Sequence, residues 1–232
     1  MMNPNRLSLT PFSPARMFMR SNPLALTAVP PMIKWLLIAN GIGFLLRIYD
    51  PQLMILHFAL WPLGNYPVAA TGISVGFKPW QLVSYAFLHA NFFHLFFNMF
   101  GLWMFGRVLE QVWGQARFLL FYTVCVIGAG LTQLVVVSFI QSGPVAPTLG
   151  ASGGVFGILL AFGMMFPNVR VMLLIPPIPM PAKYFVLGYG ALELFFGVTG
   201  TEAGVAHFAH LGGMAFGFIL LMIWRRQGRL GG

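Results

Sequence analysis

Charge is what this chain has least of. Only 7% of its 232 residues are charged and just 4 are acidic, against roughly a quarter charged in soluble domains. That scarcity excludes a water-covered globular surface. Cysteine is nearly absent as well: the single Cys125 rules out an intrachain disulfide and a cysteine-based zinc site. In its apolar run it reads as a small packing residue. Residues 1–30 contain no acid, and no apolar stretch there precedes a small-residue cleavage site, which argues against a secretory signal. Prolines at 4, 11, 14 and 23 argue against an amphipathic targeting helix. The expectation is a cytoplasmic N-terminal tail.

What is present is apolar: 58% of residues are hydrophobic and the mean hydropathy is +0.82. Such a chain is an integral membrane protein, and its spans pack as one bundle. A net charge of +9 suggests nucleic acid in a soluble protein, but here it speaks of orientation, and no nucleic-acid partner is expected. A crossing helix needs about 20 mostly apolar residues, and six candidates emerge. The first runs from about Met32 to Leu46, and the second lies within Pro79 to Gly106. No charged residue occurs between Arg117 and Arg170, which leaves room for the third and fourth with a turn at "QSGPVAPTLG". The fifth begins near Lys183, after the proline-rich "IPPIPMPA". The sixth covers about Val205 to Trp224.

With the amino terminus in the cytoplasm, only Arg47 and Lys78 of the basic residues in loops and span ends fall outside. That bias predicts both termini inside. The expected organisation is a cytoplasmic tail over 1–30, a six-helix all-α domain over 31–225 and a short basic tail over 226–232. The expected location is the cell membrane. The connection from Asp50 to Trp80 is too short to cross and too greasy for water, so it is placed in the interface with Trp61 and Trp80 at headgroup level.

Three polar clusters then converge near the outer surface. "HANFFHLFFN" opens span two with His89, His94 and Asn98; "GASGG" opens span four with Ser152; "HFAHLGG" opens span six with His207 and His210. A rise of 1.5 Å per residue sets Asn98 and His210 each roughly 10 Å below the boundary. Each residue alone has a bland reading, as packing for Ser152 and as interfacial or interhelical hydrogen bonding for the histidines and Asn98. Together, at one depth in a bilayer, they point to a site.

A serine hydroxyl needs a base, and His210 is the candidate. The Ser152 amide, His94 and Asn98 suit an oxyanion. None of the acids, Asp50, Glu110, Glu193 or Glu202, is placed beside His210 by spacing, so a Ser152–His210 dyad is the simpler reading. The G-x-S-x-G match at 150–154 lacks the strand and α/β sheet of a nucleophile elbow. His89 and His94 lack the i, i+4 zinc geometry, so no metal and no cofactor are expected. Gly153 and Gly157 in span four, and Gly213 and Gly217 in span six, form small-residue faces that let the two helices approach.

These residues resemble the rhomboid intramembrane serine proteases, on "HANFFHLFFN", an E-x-x-x-G element at Glu110 and Gly114, "GASG" at 150–153, and "AHLGG" followed by Gly217. The resemblance covers about residues 32 to 224. It implies a six-helix bundle that cleaves transmembrane protein substrates within the lipid bilayer, with Ser152 as nucleophile, His210 as base, and His94 and Asn98 in the oxyanion hole. It also implies that Glu110 and Gly114 shape the second loop, that the first loop is embedded, and that span five is a lateral gate. The family often has Trp-Arg where this chain has Trp80-Gln81, and commonly a tyrosine stacked on the catalytic histidine where this chain has Phe156. The alternatives are an inactive rhomboid-like binding or quality-control protein, expected to lack the serine or histidine, and a transporter, expected to carry midplane polar residues and broken helices in matched halves.

Overall fold

The computed structural model describes residues 29–68, 72–140, 145–172, 177–200 and 206–228. The cytoplasmic tail expected over 1–30 therefore lies almost wholly outside the described residues, as do Glu202, Arg229 and the end of the basic C-terminal tail. The described chain is mostly helical, with helices α1 (Pro31–Tyr49), α2 (Pro51–Phe58), α3 (Gln81–Ser84), α4 (Phe92–Trp113), α5 (Gln115–Ile140), α6 (Ser152–Met165), α7 (Ala182–Thr199) and α8 (His207–Arg226). Two short antiparallel hairpins complete it: β1 (Tyr66–Val68) with β2 (Ile73–Val75), and β3 (Arg170–Met172) with β4 (Pro179–Pro181).

Four helices, α1, α4, α5 and α8, are long and apolar enough to cross a membrane. The protein is thus a multi-pass membrane protein. α4 runs past the expected limit at Gly106 to Trp113, because Arg107 lays its guanidinium over the Trp103 ring, 4.5 Å from its centroid, and so keeps its charge without ending the helix. α6 has only 14 residues. Residues 145–150, within the expected turn, are not helical, and α6 itself is shorter than the roughly 20 residues of a full crossing. α8 starts at His207, which places His210 about one turn inside the helix.

Large apolar side chains face outward along these helices, among them Leu45, Phe139, Leu187 and Val198. Water would not tolerate that surface, and lipid does. Inside, α8 packs between α5 and α6. Trp113, Phe121 and Trp224 close one end of the bundle, with Trp113 ring centroids 5.0 Å from Phe121 and 5.4 Å from Trp224. At that end the Glu110 carboxylate accepts from the amides of Met32 (2.9 Å) and Ile33 (2.8 Å), which caps α1. Gly114, at φ +77°, is the whole connection between α4 and α5. The positive φ turns the chain without a loop.

The first connection is built more firmly than an interfacial ribbon. Trp61 is buried, contrary to its expected headgroup position, while Trp80 stays exposed. Gln81, where the family often has arginine, is fully buried. Its Oε1 accepts from the Trp61 amide (3.2 Å) and the Lys78 amide (3.1 Å). A neutral amide thus fixes the loop.

Candidate active site

The residues leading into Ser152 are tied down one after another. Thr148 exchanges two backbone hydrogen bonds with Leu60, at 2.9 and 2.8 Å; the Gly150 amide donates to the Tyr85 carbonyl at 2.9 Å; the Ala151 amide faces His89 Nε2 at 3.5 Å. His89 is completely buried. Burial, reinforced by the neighbouring His94, pushes its imidazole down to about 3, so it is neutral and Nε2 is free to accept. Gly150 sits at φ +129°, and a Cβ there would come within 2.8 Å of the His94 ring, so no other residue fits. Ser152 then begins α6, and its amide, in the first turn, has no acceptor within its own helix. The positive end of the helix dipole lies at the hydroxyl.

The partner comes from α8. A Cβ on Gly213 would collide with the Gly153 carbonyl, and one on Gly157 would lie 3.0 Å from the Gly213 carbonyl and strike Cys125. A Cβ on Gly217 would lie 3.0 Å from the Phe121 ring and 3.1 Å from Cys125 Sγ. Side chains would hold the two helices apart, and glycines let them touch. The consequence is a contact of 2.7 Å between Ser152 Oγ and His210 Nε2. The Phe156 ring lies flat on the His210 imidazole, with centroids 4.3 Å apart and planes 6° from parallel.

An acid that spacing along the chain could not reveal completes the set. Glu193, on α7, brings Oε2 to 2.8 Å from His210 Nδ1 and to 2.7 Å from His207 Nδ1. A carboxylate only accepts, so each Nδ1 donates. In His210 that leaves Nε2 as the acceptor for the Ser152 hydroxyl. Glu193, His207 and His210 are also the one group among the described residues whose donor atoms, all within 4.8 Å of one another, are close enough to ligate a metal ion. The i, i+4 pattern of a zinc site lies along one helix, whereas this cluster spans two.

His94 and Asn98 line a cavity of about 1100 Å³ together with Ser152 and His210. His94 Nδ1 accepts from the Ala90 amide at 3.3 Å, so its proton is on Nε2, beside Gly150. Asn98 is buried and donates from Nδ2 to the His94 carbonyl at 2.8 Å, with a second hydrogen left on the same nitrogen. An activated hydroxyl, a base with a fixed tautomer and several N–H donors around one hollow are the parts that acyl transfer needs.

A family model for the rhomboid domain matches residues 76–227. Among known proteins, the mitochondrial Rhomboid protein 1 of Saccharomyces cerevisiae is 32% identical over 146 residues, 60% of this chain and 40% of the yeast protein. The putative rhomboid protease YdcA of Bacillus subtilis is 28% identical over 181 residues, covering 72% of this chain and 84% of its own. Rhomboid protease GluP of the same bacterium is 40% identical over 80 residues, 34% of this chain and 14% of its own. This chain spans less than half the length of the mitochondrial relatives it matches.

Proposed function

The chain belongs to the rhomboid family, and from that premise we propose that it is an intramembrane serine endopeptidase acting on the transmembrane segments of other proteins. The observation that carries this reading is the 2.7 Å contact between Ser152 Oγ and His210 Nε2, made across two helices at the edge of a cavity. His210 takes the hydroxyl proton as Oγ attacks the scissile carbonyl carbon. The resulting oxyanion is met by the Ser152 amide, His94 Nε2–H and the remaining Asn98 hydrogen. The C–N bond breaks as His210 hands its proton to the leaving nitrogen. Water, activated by the same imidazole, then hydrolyses the Ser152 ester. Phe156 keeps the imidazole in plane through both halves. Neither metal nor cofactor is required by this sequence of steps.

The proposal extends to the whole arrangement. α6 and α7 join the four longer helices as crossings in a six-helix domain over 31–225, both termini face the cytoplasm, and the cavity opens on the extracytoplasmic side of the cell membrane. The charge bias of the loops supports that orientation. The presence of both Ser152 and His210 favours a working enzyme over the inactive rhomboid-like alternative.

The test is cleavage of a membrane-anchored substrate after reconstitution, with acylation by a fluorophosphonate as a direct report on the serine. Ser152→Ala and His210→Ala should each abolish cleavage and labelling while leaving the melting curve in place. Retention of cleavage in either folded variant would refute the proposal.

A further inference from the structure

Resting on the protease reading, the geometry points to Glu193 as a positioning residue for the catalytic base, anchored in turn by His207. Every handle on the His210 ring is occupied. Ser152 holds Nε2 at 2.7 Å, Glu193 holds Nδ1 at 2.8 Å, and Phe156 covers a face. The Glu193 side chain is only 12% exposed, so its contact with Nδ1 is sheltered from competing water.

A single half-buried carboxylate on a flexible side chain is a poor guide unless something fixes it. His207 supplies that fixing point. It sits three residues before His210 on α8 and donates from Nδ1 to the same oxygen at 2.7 Å. Phe196, one turn beyond Glu193 on α7, packs its ring against His207 with centroids 5.7 Å apart. The carboxylate is thus clamped between two imidazoles from one helix, and the clamp sets its direction.

Two effects follow for the reaction. First, an acceptor at Nδ1 selects the tautomer with the lone pair on Nε2, the only form able to receive the Ser152 proton. Second, when that proton arrives, a positive imidazolium forms directly against an anion. Oγ loses the proton, Nε2 gains it, Nδ1 keeps its own, and Glu193 stays ionised throughout. The role lies in the transition state and in the acyl-enzyme step, and it does not involve touching substrate.

Removing the charge while keeping the shape isolates this role. Glu193→Gln should lower kcat by about 10² to 10⁴-fold, with KM close to that of the parent, by analogy with loss of the buried carboxylate from a serine–histidine pair. Glu193→Asp keeps the charge on a side chain one methylene shorter and should recover part of that loss. Melting curves identify variants that fold. A proton NMR signal far downfield, arising from the His210 Nδ1–H held by the carboxylate, should be present in the folded parent and in Ser152→Ala and absent from Glu193→Gln.

Parental kcat in a folded Glu193→Gln variant would overturn the assignment while leaving the protease reading intact. So would a raised KM at unchanged kcat, which would make Glu193 a substrate contact. Stimulation of the parent by a chelator, absent in Glu193→Gln, would mean that the three groups hold a metal ion ahead of a proton and would overturn it too. A parent that neither cleaves nor labels would count against the protease reading itself, and this role would fall with it.

Discussion

At the scale of single residues, the site is held by small sets of hydrogen bonds that water cannot easily replace. His89 is the clearest case, because its ring is wholly buried and props the amide next to the nucleophile. In the folded chain it titrates at about 3, whereas in an unfolded chain a histidine titrates near 6.5. The unfolded state therefore binds the extra proton between those values. This contribution to stability is complete above about pH 6.5 and is lost as pH falls toward 3. By pH 5 the loss amounts to about 2 kcal/mol. A falling melting temperature between pH 7 and pH 5 is expected, and His89→Gln, which still accepts from Ala151 but does not protonate, should show a flatter profile. An unchanged slope in that variant would place the pH sensitivity elsewhere. Residue types were legible in the sequence at this scale: Ser152, His210, His94 and Asn98 do surround one cavity. Glu193 was not, because the residue that meets it lies 17 positions away on the next helix, and no spacing rule reaches across such a turn.

At the scale of helices, the glycines decide how near α6 and α8 come. A methyl group on Gly213 would meet backbone, the Gly153 carbonyl, which cannot swing aside as a side chain can. Gly213→Ala should therefore destabilise by about 1 to 3 kcal/mol and separate Ser152 from His210, with labelling falling more steeply than the melting temperature. Gly41→Ala is the control, since nothing lies within 4 Å of the added carbon. It should leave labelling untouched. The small-residue spacing that predicted this approach was readable from sequence alone. The limits of α4 were not, because Arg107 has a ring to lie on and the helix runs through a charge that would otherwise end it. Nor was what anchors the turn ahead of α6, which is held by Leu60, Tyr85 and His89, residues far away along the chain. Trp61 was misplaced for a related reason. Aromatic residues near a membrane surface are usually wet on one side, but here the Gln81 side chain draws that segment inward.

For the molecule as a whole, the cavity is walled by helices and by the non-helical segment leading into Ser152, and on the proposed protease reading a peptide must reach it in extended form, since a helical segment keeps its carbonyls bonded internally. Substrates should carry glycine, proline or other helix-weakening residues near the end of the span that enters first. In a matched pair of substrates differing only there, the weakened one should be cut faster. Equal cutting of a continuous leucine-rich span would show that unwinding is not what limits the reaction.

The carboxylate behind the base is borne by α7, while the imidazole it steadies is borne by α8. If α7 is the door through which a substrate enters from the lipid, as family resemblance implies, then swinging it outward withdraws Glu193 from His210. On the protease reading this is a safety catch: the enzyme would be disarmed while the door stands ajar and cocked only when it shuts behind the guest. Idle breathing of the bundle would then spare passing membrane proteins.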